Sequence, residues 1–258
     1  MKNSTSVLRV SLFAIGSIAV GLLFSACSKS TGTVDNSPVS ALTTYNLAPN
    51  SNAVALTLSG NVLPGAPLGY PNYAGYVSVY SGTRQLQAFD YVSGAALTNA
   101  TAYVFDTSKY YSSFLVGTPG NYNMVFAQDN YDSLSSTNGK AYVRYINAIP
   151  DSSKPLVNIM SGATTVVNTN AAYTSYSGFV AVDPGQVNIS VNNGGNIQAT
   201  RSITTAATAV YTILLIGTPG STDTTKNVQI RYVANGTLTA AKTVGTNSVR
   251  NTITAIKN

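Results

Sequence analysis

A ten-residue stretch of the chain occurs twice, and both copies have the composition of a buried β-strand. Residues 111–120 read YSSFLVGTPG, and residues 211–220 read YTILLIGTPG. Apolar residues do not alternate with polar ones in either copy, which is typical of a strand covered on both faces. Pro119 and Pro219 favour the second position of a turn, and the glycine after each can adopt the positive φ of the third. We therefore expect two copies of one unit, each organised around such a strand.

Three further blocks recur in the two copies, in the same order along the chain. The offset between matched blocks stays between 100 and 103 residues. Duplication of one unit is the simplest explanation for this constant spacing. The matched blocks are residues 46–51 with 147–152, residues 55–60 with 157–162, and residues 73–79 with 176–182.

Each unit has the sequence pattern of an antiparallel β-sandwich, either immunoglobulin-like or transthyretin-like. In the second unit, apolar and polar residues alternate over residues 187–191, which is typical of a half-buried strand. Turn-forming residues separate the short segments of this kind. The expected strands are 141–148, 156–160, 178–182, 187–191, 197–203, 209–216 and 227–233.

The predicted fold class is therefore all-β, with two tandem sandwiches. We place the first sandwich at residues 41–130 and the second at residues 141–235, joined by a linker at residues 131–140. Residues 236–258 are expected to form a tail or an additional edge strand. Because each unit has its own buried strand and its own turns, we expect each to fold as an independent domain.

The first 26 residues have the layout of a bacterial signal peptide, predicted here as residues 1–26. A basic start precedes an apolar run over residues 10–24, which is shorter than the about 20 residues that a membrane-spanning helix needs. Residues 23–27 (LFSAC) resemble a lipobox, in which the cysteine is acylated and the peptide is cut before it. Cys27 is the only cysteine of the chain. We predict a lipid anchor on Cys27 followed by a flexible tether, together residues 27–40, over an ordinary signal peptide or an uncleaved anchor.

The residues after the cysteine favour the outer membrane of a Gram-negative bacterium. Ser28 stands where an aspartate would resemble an inner-membrane retention signal. The membrane is thus the first expected partner, through the lipid on Cys27, and the periplasmic and surface faces of the outer membrane both remain open.

The repeated blocks resemble a family of bacterial exported domains of unknown function, which occur in tandem and often on lipoproteins. The resemblance is carried by residues 143–152 (VRYINAIPDS), 178–182 (GFVAV) and 211–217 (YTILLIG). The first unit matches less well, because Tyr45 lies where the second unit has its arginine region. The resemblance implies tandem β-sandwiches on an exported lipoprotein and implies no particular chemistry.

The composition excludes most catalytic chemistry. The chain has no histidine, which excludes catalytic triads and histidine-bound metals. It also has no glutamate, so a carboxylate pair would need two of the eight aspartates. We predict that the protein is not an enzyme and has no cofactor. The aspartates that lie in expected turns, where this residue usually caps its own backbone, are Asp106, Asp151, Asp183 and Asp223.

Metal and nucleic-acid binding are not expected either. Asp129 and Asp132 offer oxygen ligands that calcium could use, but a polar connector between the units is the simpler interpretation. The basic residues are scattered along the chain and form no cluster, so we predict no nucleic-acid partner.

A group of tyrosines is the most suggestive candidate for ligand binding. Tyrosine can stack on a sugar ring and present a hydroxyl, so these side chains could form a glycan- or peptide-binding face. The alternative is that they coat one face of a strand, and the absence of tryptophan weakens the sugar interpretation. The tyrosines concerned are Tyr70, Tyr73, Tyr76 and Tyr80.

The sequence favours a non-enzymatic, membrane-anchored module with a structural or protein-interaction role at the cell envelope. The second hypothesis is a lipoprotein that binds extracellular glycan through these tyrosines, and envelope proteins or glycan are the corresponding partners. Ser133 and Thr224 each follow an aspartate, in a pattern that resembles the acceptor for O-glycosylation in some Gram-negative exported proteins.

Overall fold

The computed structural model describes residues 37–239 and 252–254. The expected signal peptide and Cys27 lie outside the described residues. Ser37–Asn258 forms one compact unit.

The first repeat forms two four-stranded sheets. Sheet A has the strand order β4-β1-β7-β8, and sheet B has the order β3-β2-β5-β6. The strands are β1 (Val39–Asn46), β2 (Val54–Leu58), β3 (Asn61–Val62), β4 (Asn72–Tyr80), β5 (Gly82–Asp90), β6 (Thr101–Phe105), β7 (Tyr110–Thr118) and β8 (Asn121–Asp129).

The second repeat is built in the same way and adds strands. Sheet C has the order β12-β9-β15-β16-β17, and sheet D has the order β11-β10-β13-β14. The strands are β9 (Ala141–Asn147), β10 (Leu156–Ser161), β11 (Thr164–Asn170), β12 (Val180–Val182), β13 (Gly185–Asn192), β14 (Gln198–Thr205), β15 (Ala209–Ile216), β16 (Gln229–Thr239) and β17 (Thr252–Thr254).

The predicted fold class, two tandem β-sandwiches, is confirmed, and two details differ from the expectation. Sheets A and C are not purely antiparallel, because β1 pairs with β7 and β9 with β15 in parallel. Strand β11 was not predicted. It lies at the edge of sheet D, and Val167 is its one buried residue. Because most of its side chains are exposed, its sequence does not show the alternation of apolar and polar residues that marks a half-buried strand. At the C-terminal end, β17 pairs with the last residues of β16.

The two sandwiches pack against each other through sheets A and C, so the protein has four layers in the order B, A, C, D. An apolar cluster joins side chains of β1, β7 and β8 to side chains of β9, β15 and β16. Successive residues of β15 alternate between two cores. Ile213 and Leu215 point into the second sandwich, whereas Leu214 and Ile216 point toward sheet A. This double burial explains why the two repeated segments contain apolar residues on both faces.

The repeated Gly-Thr-Pro-Gly sequence at the ends of β7 and β15 requires glycine at its first position. Gly117 has φ +113°, and a side chain there would lie 2.2 Å from the backbone oxygen of Asn121. Gly217 has φ +109°, and its side chain would lie 2.1 Å from the oxygen of Asn227. Glycine at these two positions therefore lets the backbone pass very close to the backbone of Asn121 and of Asn227.

The segment between the repeats is packed against the second sandwich. It begins with a 3-10 helix, Tyr131–Ser133, and the Tyr131 side chain is buried. Leu134 is buried in the same cluster. The Tyr142 hydroxyl of β9 donates to the backbone oxygen of Ser135 at 2.9 Å and accepts from its nitrogen at 3.0 Å. These contacts hold the connecting segment on the surface of sheet C.

Candidate functional site

The most unusual polar feature of the molecule is an ion pair buried between the two sandwiches. Arg144 lies in the middle of β9, and Asp129 is the last residue of β8. Their side chains are 3% and 0% exposed, and Arg144 Nη1 lies 2.5 Å from Asp129 Oδ1. This oxygen accepts no hydrogen bond, so the contact at Oδ1 is ionic. Two charges removed from water in this way require close compensation by neighbouring groups.

The guanidinium also bonds to equivalent residues of the two repeats. Ser112 of β7 and Thr212 of β15 occupy the same position of the repeated strand. Arg144 Nη2 donates to Ser112 Oγ at 2.8 Å, and Nε donates to Thr212 Oγ1 at 3.1 Å. Ser112 in turn donates to Asp129 Oδ2 at 2.8 Å. One arginine therefore links the central strands of both sandwiches.

Hydrogen bonds extend from this centre into both repeats. On one side, Thr212 donates to Asn235 Oδ1 at 2.7 Å, and Asn235 Nδ2 donates to the Tyr45 hydroxyl at 3.1 Å. On the other side, the Tyr76 hydroxyl donates to Asp129 Oδ2 at 2.6 Å and lies 2.6 Å from the Tyr131 hydroxyl. We call the eight residues of this network the polar junction: Tyr45, Tyr76, Ser112, Asp129, Tyr131, Arg144, Thr212 and Asn235.

Two aromatic rings lie against the charged guanidinium of Arg144. The guanidinium carbon of Arg144 lies 4.6 Å from the centre of the Phe179 ring and 5.9 Å from that of Phe114. Both distances lie within the range of cation–π contacts. Phe179 occupies the position in the second repeat that Tyr76 occupies in the first. Thr43 occupies the position of Arg144 in the first repeat, so the junction contains a single arginine.

The chain matches a family model described as a domain of unknown function, DUF4397, over residues 40–154 and again over residues 141–242. The protein belongs to the DUF4397 family. The expected family resemblance, two copies of a domain of unknown function, is thereby confirmed. The two matches overlap over residues 141–154, which include β9 and Arg144.

The other comparisons add little to this DUF4397 assignment. The comparison with curated proteins found no match. Among solved structures, the chain is similar to a family 26 carbohydrate-binding module from Eubacterium rectale Amy13K in complex with maltoheptaose. The two are 12% identical, the match covers 75% of this chain and 96% of the module, and the TM-score is 0.23. At this score the likeness has no bearing on function.

Burial and neighbouring charges shift the pKa of several junction groups in this DUF4397 chain. Burial raises the pKa of Tyr45 to about 12. Burial, reinforced by the charge of Asp129, holds the pKa of Tyr76 and of Tyr131 well above the usual value. For Arg144, burial lowers the pKa, but Asp129 and the neighbouring tyrosines raise it above its usual value overall. The junction therefore stabilises neutral tyrosines around a charged arginine.

These shifts predict a loss of stability in alkaline solution. A tyrosine whose pKa is higher in the folded state than its unfolded value of 10 makes its full contribution to stability below pH 10. That contribution disappears as the pH rises from about 10 to about 12. For Tyr45 alone the difference corresponds to about 2–3 kcal/mol. Urea unfolding at pH 9, 10.5 and 11.5 should show this decline, and absorbance near 295 nm should report the delayed ionisation.

The matched control for this measurement is Tyr45→Phe, which keeps the ring and removes the ionisable hydroxyl. Its stability should fall less steeply between pH 10 and pH 12 than that of the unmodified protein, because one shifted group is missing. An unmodified protein with equal stability at pH 9 and pH 11.5 would contradict the prediction. Burial also raises the pKa of six tyrosines outside the polar junction, which are Tyr70, Tyr103, Tyr111, Tyr122, Tyr145 and Tyr173.

The four tyrosines proposed as ligand contacts do not share one exposed face. Tyr73 stacks on Tyr45 with ring centres 5.5 Å apart, and Tyr76 belongs to the polar junction. Tyr70 packs against the apolar cluster between the sandwiches, and its hydroxyl is buried. Tyr80 is 52% exposed. A glycan stacked on the first three rings would have to displace this internal packing.

The geometry of β4 explains this distribution. The pairing of β4 with β1 shifts register between Leu42 and Thr44, which is the sign of a β-bulge. Side chains three residues apart, Tyr73 and Tyr76, can therefore both lie on the side of sheet A that faces sheet C. Val79 between Tyr76 and Tyr80 points into the first sandwich, as strand alternation predicts.

The remaining predicted positions lie on the surface or in ion pairs. Ser133 and Thr224 are exposed, and Ser133 Oγ donates to the backbone oxygen of Asn130 at 2.7 Å. Glycosylation at these two residues stays a prediction. Asp132 forms an ion pair with Lys109. In the part of the chain that the structure describes, no group of three or more histidine, cysteine, aspartate or glutamate side chains could hold a metal.

Sequence reasoning did not identify the polar junction, although one signal for it was present. Arg144 is the one charged residue in the buried segment AYVRYIN, residues 141–147. A charge at the centre of a buried strand needs a partner, because an isolated buried charge is strongly unfavourable. The sequence does not show which partner it is, since Asp129 belongs to the other repeat.

Proposed function

We propose that the protein is a non-enzymatic lipoprotein anchored through Cys27, with a structural or protein-interaction role at the cell envelope of a Gram-negative bacterium. The polar junction supports the structural part of this proposal, and the lipobox-like residues 23–27 support the anchor. Its charges and hydroxyls bond to one another, and they connect the two sandwiches. Such an arrangement stabilises the contact between the two sandwiches. Among the described residues, no helix is long and apolar enough to cross a membrane.

The four-layer arrangement supports a role in which the outer surfaces of the protein contact partner proteins. Sheets A and C cover each other, so in the part of the chain that the structure describes a protein partner can reach the outer sheets, the strand edges and the loops. Val62 on β3 and Val104 on β6 are each 59% exposed on the edge strands of sheet B. The alternative, a glycan-binding surface formed by Tyr70, Tyr73, Tyr76 and Tyr80, is less well supported because the first three rings are half-buried in contacts with other side chains.

The anchor can be tested with Cys27→Ser. In the producing bacterium, this variant should lose incorporation of an alkyne-labelled fatty acid and should leave the outer-membrane fraction. Ser28→Ala is the matched control and should stay labelled and membrane-bound. Unmodified protein that is found in the soluble fraction with a free thiol would contradict the lipoprotein assignment.

The interaction role can be tested in the same cells by site-specific photo-crosslinking. A crosslinking side chain placed at Val62 or at Val104 should give a discrete adduct with another envelope protein. The matched control is a crosslinking side chain at Val116, which is buried between the sandwiches and should give no such adduct. The absence of adducts from both exposed positions would count against a protein-interaction role for sheet B.

A further inference from the structure

A cavity of about 400 Å³ lies beside the start of β1, and the proposed envelope role does not use it. Its wall includes residues from β1, β4, β7 and the 3-10 helix. The volume lies toward the lower end of the range for small-molecule sites. Two aromatic rings, Tyr110 and Tyr131, contribute to the wall, and their centres are 5.3 Å apart. The cavity is therefore preformed by packed side chains of sheet A and of the 3-10 helix.

The charged groups in the wall of this cavity are already paired. Asp132 forms an ion pair with Lys109, and Asp129 forms its buried ion pair with Arg144. A charged ligand would have to break one of these pairs or be held without a counter-ion, and both are unfavourable. The cavity therefore favours a ligand without net charge.

Three hydroxyl groups in the wall are available for hydrogen bonds. Among the described residues, the side chains of Ser78, Ser108 and Tyr110 form no hydrogen bond with the protein. Ser78 and Ser108 are exposed, and Tyr110 is half-buried. Each hydroxyl can both donate and accept, so together they suit a ligand that carries several hydroxyls of its own.

We propose that this cavity binds a neutral mono- or disaccharide. A sugar ring has an apolar face that can contact Tyr110 and hydroxyls that can bond to Ser78 and Ser108, and it carries no charge to disturb the two ion pairs. The site differs from the surface-tyrosine hypothesis, because it uses neither Tyr70 nor Tyr73. It is also independent of the lipid anchor, so failure of one proposal leaves the other intact.

The test uses the full chain as the cells produce it, purified in a detergent without a sugar headgroup, and isothermal titration calorimetry. At least one neutral sugar should bind saturably, whereas charged sugars should not. Ser78→Trp places a large ring at the cavity and should weaken binding by about tenfold or more. The neutral probes are glucose, galactose, N-acetylglucosamine, maltose and cellobiose, and the charged probes are glucosamine and N-acetylneuraminic acid.

Ala181→Trp provides the matched control, because Ala181 holds the position in the second repeat that Ser78 holds in the first, and it is exposed. This variant should bind sugar as the unmodified protein does. Tyr110→Phe keeps the ring and should weaken binding through loss of one hydroxyl. The proposal is overturned if no neutral probe binds, if charged probes bind more tightly, or if Ser78→Trp binds as well as Ala181→Trp. Thermal unfolding of each variant separates lost binding from lost folding.

Discussion

Replacing Arg144 with alanine should lower the free energy of unfolding by about 3–5 kcal/mol, as expected when one partner of a buried ion pair is removed. The change leaves Asp129 buried without its cation, and Ser112 and Thr212 lose their donor. It also removes the cation between the two aromatic rings. Urea unfolding at neutral pH, followed by circular dichroism, measures the loss.

Two further variants separate the charge pair from the general effect of losing a side chain. Replacing both charges, with Arg144→Met and Asp129→Leu together, should restore much of the stability, because no unpaired charge stays buried. Lys140→Ala removes an ion pair with Asp183 that lies on the surface, and should change stability by less than about 1 kcal/mol. If Arg144→Ala is no more harmful than Lys140→Ala, the junction does not stabilise the fold in the way described.

The sequence predicts which segments form strands better than it predicts which sheets pack against those strands. The apolar run of β15 correctly indicates a strand covered on both faces, since Ile213 and Leu214 point to opposite sides and both are buried. The run does not indicate what covers each face. A second sheet of the same repeat and a sheet of the other repeat produce the same pattern of residues, so independent domains and a four-layer arrangement cannot be distinguished from periodicity.

The same limit applies to the polar junction. The single charge of Arg144 within a buried strand is visible in the sequence. Its partner Asp129 appears there as part of a polar connector, because it ends β8 immediately before the segment between the repeats. The pairing of β7 with β8 and the packing of sheet A on sheet C place the two charges together. Both depend on contacts that are distant along the chain.

The second repeat alone, residues 141–258, should not be a stable monomer. This expectation differs from the one based on sequence, because the isolated repeat would expose one whole face of sheet C together with Arg144. Burial of each large aliphatic side chain contributes about 1.5–3 kcal/mol. Loss of several such contributions is comparable with the total stability of a domain, about 5–15 kcal/mol. The aliphatic side chains concerned are Ile146, Leu214, Ile216 and Val233, all at most 7% exposed in the full chain.

Size-exclusion chromatography with light scattering can measure this result. Residues 141–258 should self-associate or show no cooperative unfolding, whereas residues 37–258 should give a folded monomer. Addition of residues 37–140 should restore a one-to-one complex, because that fragment supplies sheet A and Asp129. The same mixture with Asp129→Ala in the first fragment should assemble more weakly, since Arg144 would be buried without its partner. A monomeric second repeat with the unfolding midpoint of residues 37–258 would show that the two sandwiches are energetically independent and that the polar junction contributes nothing to their stability.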